Sequence, residues 1–285
     1  MARRGALTRP ALWIVAAVLG GCTVGGLQGP TLATTTPAGA PEYIPIQIQK
    51  PDGAGPFPAV VIMHDCSGLG PRSSGAPGRW ATELVGRGYV VMMPDSFTTR
   101  GFPAGVCTST SPRRNDVAPS RRVRDAYASL AHLRTLPFID GSRVGLMGGS
   151  DGGATTLAAM VAPGATPGFR AAVALYPGCS PWLRSEDVYR PTGPLLILIG
   201  EKDDWTPAEP CRRLTEASQQ AGAPVTIKLY PGAYHSFDSA NPVRYVEARV
   251  NASSPTGHGA TTGGDPEAWA DSIREVVAFF GRYLR

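Results

Sequence analysis

The chain has 285 residues, 42% hydrophobic and 17% charged, with 35 glycines and 28 prolines, enough for one α/β domain with a sizeable buried core. Its net charge is +5, but Arg3, Arg4 and Arg9 sit at the extreme N-terminus, so the remainder is only mildly basic. The other arginines are scattered apart from Arg113-Arg114 and Arg121-Arg122-Arg124, with no nucleic-acid motif beside them, which excludes a phosphate-binding stripe and a nucleic-acid partner.

In chain order, the basic start is followed by the apolar run Ala11 to Leu19 and then Gly20-Gly21-Cys22. A helix needs about 20 apolar residues to span a bilayer, so this run is too short for an anchor and predicts an export signal over residues 1–22. The small residues before Cys22 resemble a lipobox, which would make Cys22 a lipidated attachment point on a membrane. The expected location is therefore the periplasm, the cell envelope as a lipoprotein, or the medium. Residues 23–41 are mostly Gly, Thr, Ala and Pro with little charge and read as a flexible linker; residues 42–285 form the domain. Cys66, Cys107, Cys179 and Cys211 make an even number, as suits an oxidising compartment, and could pair in three ways. There is no C-x-x-C or clustered Cys/His spacing, so no metal is expected, and no cofactor motif is present.

Tyr43 to Gln49 alternates like a half-exposed edge strand. Phe57–Met63, Tyr89–Met93, Val144–Met147, Ala171–Tyr176 and Leu195–Ile199 are short continuous apolar runs, the pattern of parallel strands covered on both faces. Val225–Tyr230 adds a strand of mixed pattern. Between them, Arg79–Arg87, Ser120–Leu136, Gly153–Val161, Pro210–Ala221 and Pro266–Leu284 read as helices. Val123, Ala126, Tyr127, Leu130, Leu133 and Leu136 make a core-facing stripe on one, and Trp269, Ile273, Val276, Val277 and Phe280 on another. The alternation predicts an α/β fold with a mostly parallel central sheet wrapped by helices. Ser96–Pro119 and Asp238–Gly264 are long irregular segments, and loops of that length are often functional.

The chemistry starts at Gly148-Gly149-Ser150-Asp151-Gly152, a G-x-S-x-G string with an apolar strand before it and an apolar helix after it. The string alone is weak; its setting is that of a nucleophile elbow, whose glycines let strand and helix approach closely around an exposed serine. A serine hydroxyl attacks poorly at neutral pH without a base. Of four histidines, His132 lies in a helix, His258 in a Gly-His-Gly loop, and His64 at the end of an early strand, where it fixes a loop. His235 alone follows the last strand, where the order Ser…Asp/Glu…His places the base. The acid comes from Gly200-Glu201-Lys202-Asp203-Asp204, and the residues do not separate Asp203 from Asp204. The main-chain N–H of Asp151 and one from His64-Asp65-Cys66-Ser67-Gly68 would form an oxyanion hole. A Cys66 thiol nucleophile is a weak competitor, because it leaves Ser150 and His235 without a role.

With these pieces in place, the chain resembles the dienelactone hydrolase family of α/β-hydrolases over roughly residues 43–284. The matching strings are Val60-Val61-Ile62-Met63-His64-Asp65, Pro94-Asp95-Ser96-Phe97, Met147 to Gly153, Gly200 to Asp204 and Tyr234-His235-Ser236-Phe237. The resemblance implies the α/β-hydrolase fold with helices on both faces, selects Asp203 by the family's G-x-x-D spacing, and gives the second oxyanion N–H to Cys66. It also makes Arg100 resemble a substrate-facing arginine, and implies the pairs Cys66–Cys107 and Cys179–Cys211. Dienelactone hydrolase itself carries a cysteine nucleophile and is cytoplasmic, whereas this chain has Ser150 and an export-like leader. The expectation is an exported serine hydrolase acting on a small-molecule carboxylic ester. A peptide or amide hydrolase, or a catalytically silent envelope binding protein on the same fold, are the alternatives. Tyr176, Trp182, Trp205 and Tyr234 are aromatic candidates for the pocket wall.

Overall fold

Five apolar runs become interior strands of one sheet. The structure is a computed structural model, and it describes residues 29–36, 38–162 and 168–285. The leader over residues 1–22, Cys22 included, and the linker up to residue 28 lie outside the described residues. The strands are β1 (Thr31–Thr35), β2 (Pro41–Gln49), β3 (Phe57–Met63), β4 (Val90–Pro94), β5 (Ile139–Gly149), β6 (Ala172–Leu175), β7 (Leu195–Gly200) and β8 (Val225–Tyr230). They form an eight-stranded sheet in the order β1-β2-β4-β3-β5-β6-β7-β8. β2 is antiparallel to both neighbours, and every pair from β4 to β8 is parallel. β4, β6 and β7 are buried along their whole length, which is why their sequences show no alternation.

The helices are α1 (Ala76–Val85), α2 (Pro119–Thr135), α3 (Asp151–Val161), α4 (Ala208–Gln220) and α5 (Pro266–Tyr283). The β3-α1-β4 crossover moves toward one edge of the sheet, while β4-α2-β5 and β5-α3-β6 move toward the other. Right-handed crossovers therefore place α1 and the α2–α3 pair on opposite faces. Contacts agree: Trp80 of α1 meets Trp269 of α5 edge-on at 4.6 Å, and Tyr127 of α2 donates to the Ala159 carbonyl of α3 at 2.9 Å. The start of α5 is fixed by Asp265, whose carboxylate accepts from the Glu267 and Ala268 N–H groups at 3.0 Å. Val276 and Phe280 of its apolar stripe are fully buried, each contributing about 1.5–3 kcal/mol. In α2, Ala126, Leu130 and Leu133 are buried as the stripe predicts, but so are Arg122, Asp125 and Ser129.

Two sequence expectations need correction. The linker reading of residues 23–41 fails at Thr31–Thr35, which pair with β2 as the sheet's edge strand. Leu32 is buried there and the Thr34 hydroxyl donates to Asp125 Oδ1 at 3.1 Å, contacts to distant residues that a compositional reading does not see. The segment Asp238–Gly264 is not irregular throughout. It holds an antiparallel hairpin, β9 (Arg244–Val250) and β10 (His258–Thr262), whose first strand is largely exposed and so lacks an apolar alternation. Two short 3-10 turns, Thr98–Arg100 and Pro112–Val117, likewise punctuate Ser96–Pro119. The cysteines pair as Cys66–Cys107 and Cys179–Cys211. Among the described residues no helix is long and apolar enough to cross a membrane.

Candidate active site

β5 runs into α3 through Ser150, whose φ of 54° is unfavourable for a side-chain-bearing residue. The turn is held by the Ser150 N–H donating to the Leu175 carbonyl at 3.0 Å. Gly148 and Gly152 are required by crowding: a Cβ on Gly148 would collide with the Gly152 main chain, and one on Gly152 with the Met63 carbonyl. The strained turn thus projects the serine over the ends of β3 and β5. Its Oγ lies 2.9 Å from His235 Nε2, and His235 Nδ1 lies 2.8 Å from Asp203 Oδ2.

Each partner is locked in turn. Asp203 Oδ1 accepts from the N–H groups of Trp205 at 2.9 Å and Thr206 at 2.8 Å, and the Thr206 hydroxyl donates to Oδ2 at 3.0 Å. The neighbouring acid faces the other way: Asp204 accepts from the Thr261 N–H and hydroxyl, both at 2.8 Å, and so anchors β10. The two adjacent carboxylates are therefore separated by geometry, with only Asp203 beneath the imidazole. The His235 ring is packed between Tyr176, at 4.7 Å, and Trp205, at 4.8 Å. Tyr176 donates to Asp238 Oδ1 at 2.7 Å, and Trp80 donates to Asp238 Oδ2 at 2.8 Å, tying the His235 loop to β6 and α1. Burial raises the Asp238 pKa, and the Tyr176 and Trp80 hydrogen bonds oppose that rise.

The other sequence candidates are placed unequally. Cys66 borders Ser150 in the cleft, and its N–H is bonded to no other group among the described residues. The Asp151 N–H is the first of α3, where no partner exists inside the helix. Arg100 is the correction. Its Nη1 meets Asp125 Oδ2 at 2.6 Å and its Nη2 meets Glu42 Oε2 at 2.7 Å, so two carboxylates hold it and it lines neither cleft beside Ser150. Both carboxylates come from strands and helices remote in sequence, which the local string Thr98-Thr99-Arg100-Gly101 could not show. Neither His132 nor His258 is hydrogen-bonded to Ser150, and His258 is exposed. Of the aromatic candidates, Trp205 lines the site and Tyr176 backs His235; Trp182 instead packs on Tyr189, and Tyr234 meets Lys202.

Two clefts meet at Ser150, Cys66 and Trp205. The first, of about 390 Å³, contains His235, many hydroxyl groups and three arginines: Arg72, Arg244 and Arg249. None of the three has a carboxylate partner among the described residues. Arg249 is stacked on Trp205 at 4.9 Å. The only acid on that wall, Asp65, is occupied by Ser67 and Ser74. The second cleft, of about 340 Å³, lies on the Asp151 side and adds Arg114 and Arg184. The sequence reading missed this arginine wall because Arg244 and Arg249 belong to the hairpin it treated as irregular. Among the described residues no group of three or more His, Cys, Asp or Glu side chains is placed to hold a metal ion.

Comparison with known proteins gives the family and the fold. The dienelactone hydrolase family profile matches residues 44–284, and the chain belongs to that family. A Bradyrhizobium sp. protein named a probable 2-oxo-3-(5-oxofuran-2-ylidene)propanoate lactonase is 24% identical, over 67% of this chain and 77% of its own. A Yersinia pestis protein named, provisionally, a carboxymethylenebutenolidase is 26% identical, over 72% and 78%. Among solved structures, one from Klebsiella pneumoniae subsp. pneumoniae MGH 78578, named provisionally a dienelactone hydrolase, superposes with a TM-score of 0.61 at 20% identity. That superposition covers 89% of this chain and 99% of the other, and places both in the α/β-hydrolase fold.

Proposed function

For this member of the dienelactone hydrolase family, we propose an exported serine hydrolase that cleaves a small carboxylic ester carrying a negative charge. The observation that carries the reading is the unbroken hydrogen-bonded chain from Ser150 Oγ through His235 to Asp203. Asp203 accepts a hydrogen bond from Nδ1–H, which keeps the proton on Nδ1 and leaves the Nε2 lone pair facing Ser150. As Ser150 Oγ attacks the ester carbonyl, its proton passes to Nε2, and Asp203 stabilises the imidazolium. The N–H groups of Asp151 and Cys66 receive the oxyanion. Nε2 then gives the proton to the departing alkoxide, leaving an acyl group on Ser150. Water repeats the same proton path in reverse and releases the acid.

The proton on Nε2 must reach the leaving oxygen, so the alcohol half belongs in the cleft that contains His235. That cleft also contains Arg72, Arg244 and Arg249, none balanced by a carboxylate among the described residues, and this supports an anionic alcohol portion. The lactonase and butenolidase names of the relatives support ester-type bonds, cyclic or open. Two disulfides support an oxidising compartment, and attachment through a lipidated Cys22 completes the reading.

The test is a fluorophosphonate label with a panel of esters, each paired with its matching amide. The wild-type protein should label on Ser150 and hydrolyse esters, anionic ones fastest. Ser150→Ala should lose the label and lower turnover by about 10⁴-fold or more while melting at the same temperature. Unchanged ester turnover in Ser150→Ala would end the reading, and preference for the amides would redirect it to peptide chemistry.

A further inference from the structure

Beneath the Cys66 loop lies a cation that has no hydrogen bond to Ser150, His235 or Asp203. Arg122, in the first turn of α2, is fully buried. Its Nη2–H donates to the His64 carbonyl at 2.7 Å, and its guanidinium lies 4.9 Å from the centre of the Phe97 ring. Nε and Nη1 have no protein acceptor among the described residues. The nearby carboxylates are otherwise engaged: Asp125 holds Arg100 and Thr34, and Asp65 holds Ser67 and Ser74. The Asp151 carboxyl faces Arg122 electrostatically but shares no hydrogen bond with it. Burial pushes the Arg122 pKa down to about 10, which leaves it charged at neutral pH. A buried charge without a carboxylate hydrogen-bonded to it is costly, so its position calls for a function.

His64 connects that charge to the site. Its Nε2 accepts from the Ser96 N–H at 3.1 Å, which puts the ring proton on Nδ1, and Nδ1–H donates to the Asp65 carbonyl at 2.8 Å. Burial, aided by the Arg122 charge, holds the His64 pKa well below the usual value and preserves this neutral tautomer. The Phe97 ring, edge-on to His64 at 4.4 Å, closes the stack between imidazole and guanidinium. The Asp65 carbonyl and the Cys66 N–H are the two ends of one peptide group. A hydrogen bond received at the oxygen fixes the plane of that group and makes its N–H a stronger donor.

We propose that Arg122 and His64 are positioning residues for the oxyanion hole: Arg122 anchors the His64–Asp65 peptide through the His64 carbonyl, and His64 holds and polarises the next peptide, Asp65–Cys66, so that its N–H meets the oxyanion formed at Ser150. The inference rests on the reading of Cys66 as an oxyanion donor. It predicts that the transition state feels their loss and the bound substrate does not. Arg122→Met should lower kcat about 10- to 100-fold, with KM changed by less than about threefold, and Arg122→Lys should recover part of the loss. His64→Leu, which keeps bulk but removes the Nδ1 donor, should act in the same direction.

The deciding readout is an ester compared with its thiono analogue, in which sulfur replaces the carbonyl oxygen. Sulfur accepts hydrogen bonds weakly, so the ester-to-thionoester rate ratio reports on the oxyanion donors. That ratio should fall about tenfold in Arg122→Met and His64→Leu relative to wild type. A folded variant whose kcat drops with the ratio unchanged has only a structural defect and overturns the proposal. Unchanged kcat does so as well. If Arg122→Met does not fold, His64→Leu and Arg122→Lys carry the decision. A wild-type protein that neither labels nor turns over esters defeats the catalytic reading itself, whereas an active wild type with an unmoved ratio in the variants defeats this inference alone.

Discussion

The strand ends and the β9–β10 hairpin both border Ser150, but they are held there by different forces. Ser150 and Asp203 follow β5 and β7, strands buried on both sides and paired to parallel neighbours, and His235 follows β8, paired to β7. Displacing any of them means disturbing the core. The first strand of the hairpin is largely exposed, with Tyr245 at 64%, and the hairpin is pinned at a few points. Val250 donates to the Cys107 carbonyl and accepts from Trp205 Nε1, Asn251 donates to the Asp204 carbonyl, and Asp204 holds Thr261. Ser150, Asp203 and His235 thus sit on the rigid part, and the unbalanced arginines Arg244 and Arg249 on the part that can vary without unfolding the domain.

The adjacent acids Asp203 and Asp204 divide between these two regions and give the largest expected contrast. Asp203→Asn removes the carboxylate that fixes the imidazole tautomer and should lower kcat about 10³- to 10⁴-fold. Asp204→Asn loosens the anchor of β10 and should act mainly on KM, by less than about tenfold, with kcat nearly retained. Steady-state kinetics of both variants on one ester decides it. Equal losses of kcat would mean that the hairpin is part of the rigid catalytic frame.

The same division explains what the sequence disclosed. Continuous apolar runs such as Leu195–Ile199 announce buried parallel strands, and Gly148 and Gly152 announce a close approach, so the frame and Ser150, Asp203 and His235 were readable from local patterns. The order of those residues along the chain supplied the rest, and family spacing chose between Asp203 and Asp204. Arg100 went astray because its meaning depends on Glu42 and Asp125, which are distant in sequence and supply its counter-charges. The edge strand Thr31–Thr35 was hidden by a linker-like composition. The hairpin was hidden because an exposed strand leaves no hydrophobic period, and the Arg122–His64 contact because a buried cation in an apolar stripe looks like one more surface residue of α2.

A smaller effect tests the frame by pH. His64 is neutral in the fold, its pKa lowered by burial first and by Arg122 second, while in the unfolded chain it titrates near 6.5. Below that pH the unfolded state gains a proton that the folded state refuses, so this residue's contribution to stability is intact at neutral pH and falls as the pH drops through 6 and 5. The limiting slope is about 1.4 kcal/mol per pH unit. Denaturant unfolding of wild type and His64→Gln between pH 7 and 5 should therefore show a shallower fall in the variant. Parallel curves would mean that the folded protein protonates His64 as readily as the unfolded chain does, giving up the Ser96 N–H bond to Nε2 at no cost in stability.

Arg249 gives the smallest and most selective effect. It lies over Trp205, the same ring that packs on His235, so its charge is held close to the leaving-group side of Ser150. Arg249→Gln should lower the ratio of kcat/KM for an ester with an anionic alcohol portion to that for a neutral isostere by about tenfold, the scale of one well-placed charge contact. Salt tests the rest of the wall. Raising ionic strength from 0.01 to 1 M shortens the Debye length from about 30 to 3 Å, which screens the exposed Arg72 and Arg244 more than the stacked Arg249. If Arg249 dominates, the anionic preference should survive salt in the wild type and vanish in Arg249→Gln. A preference that salt removes and Arg249→Gln keeps would instead belong to the diffuse field of Arg72 and Arg244, acting on encounter rather than on the bound ester.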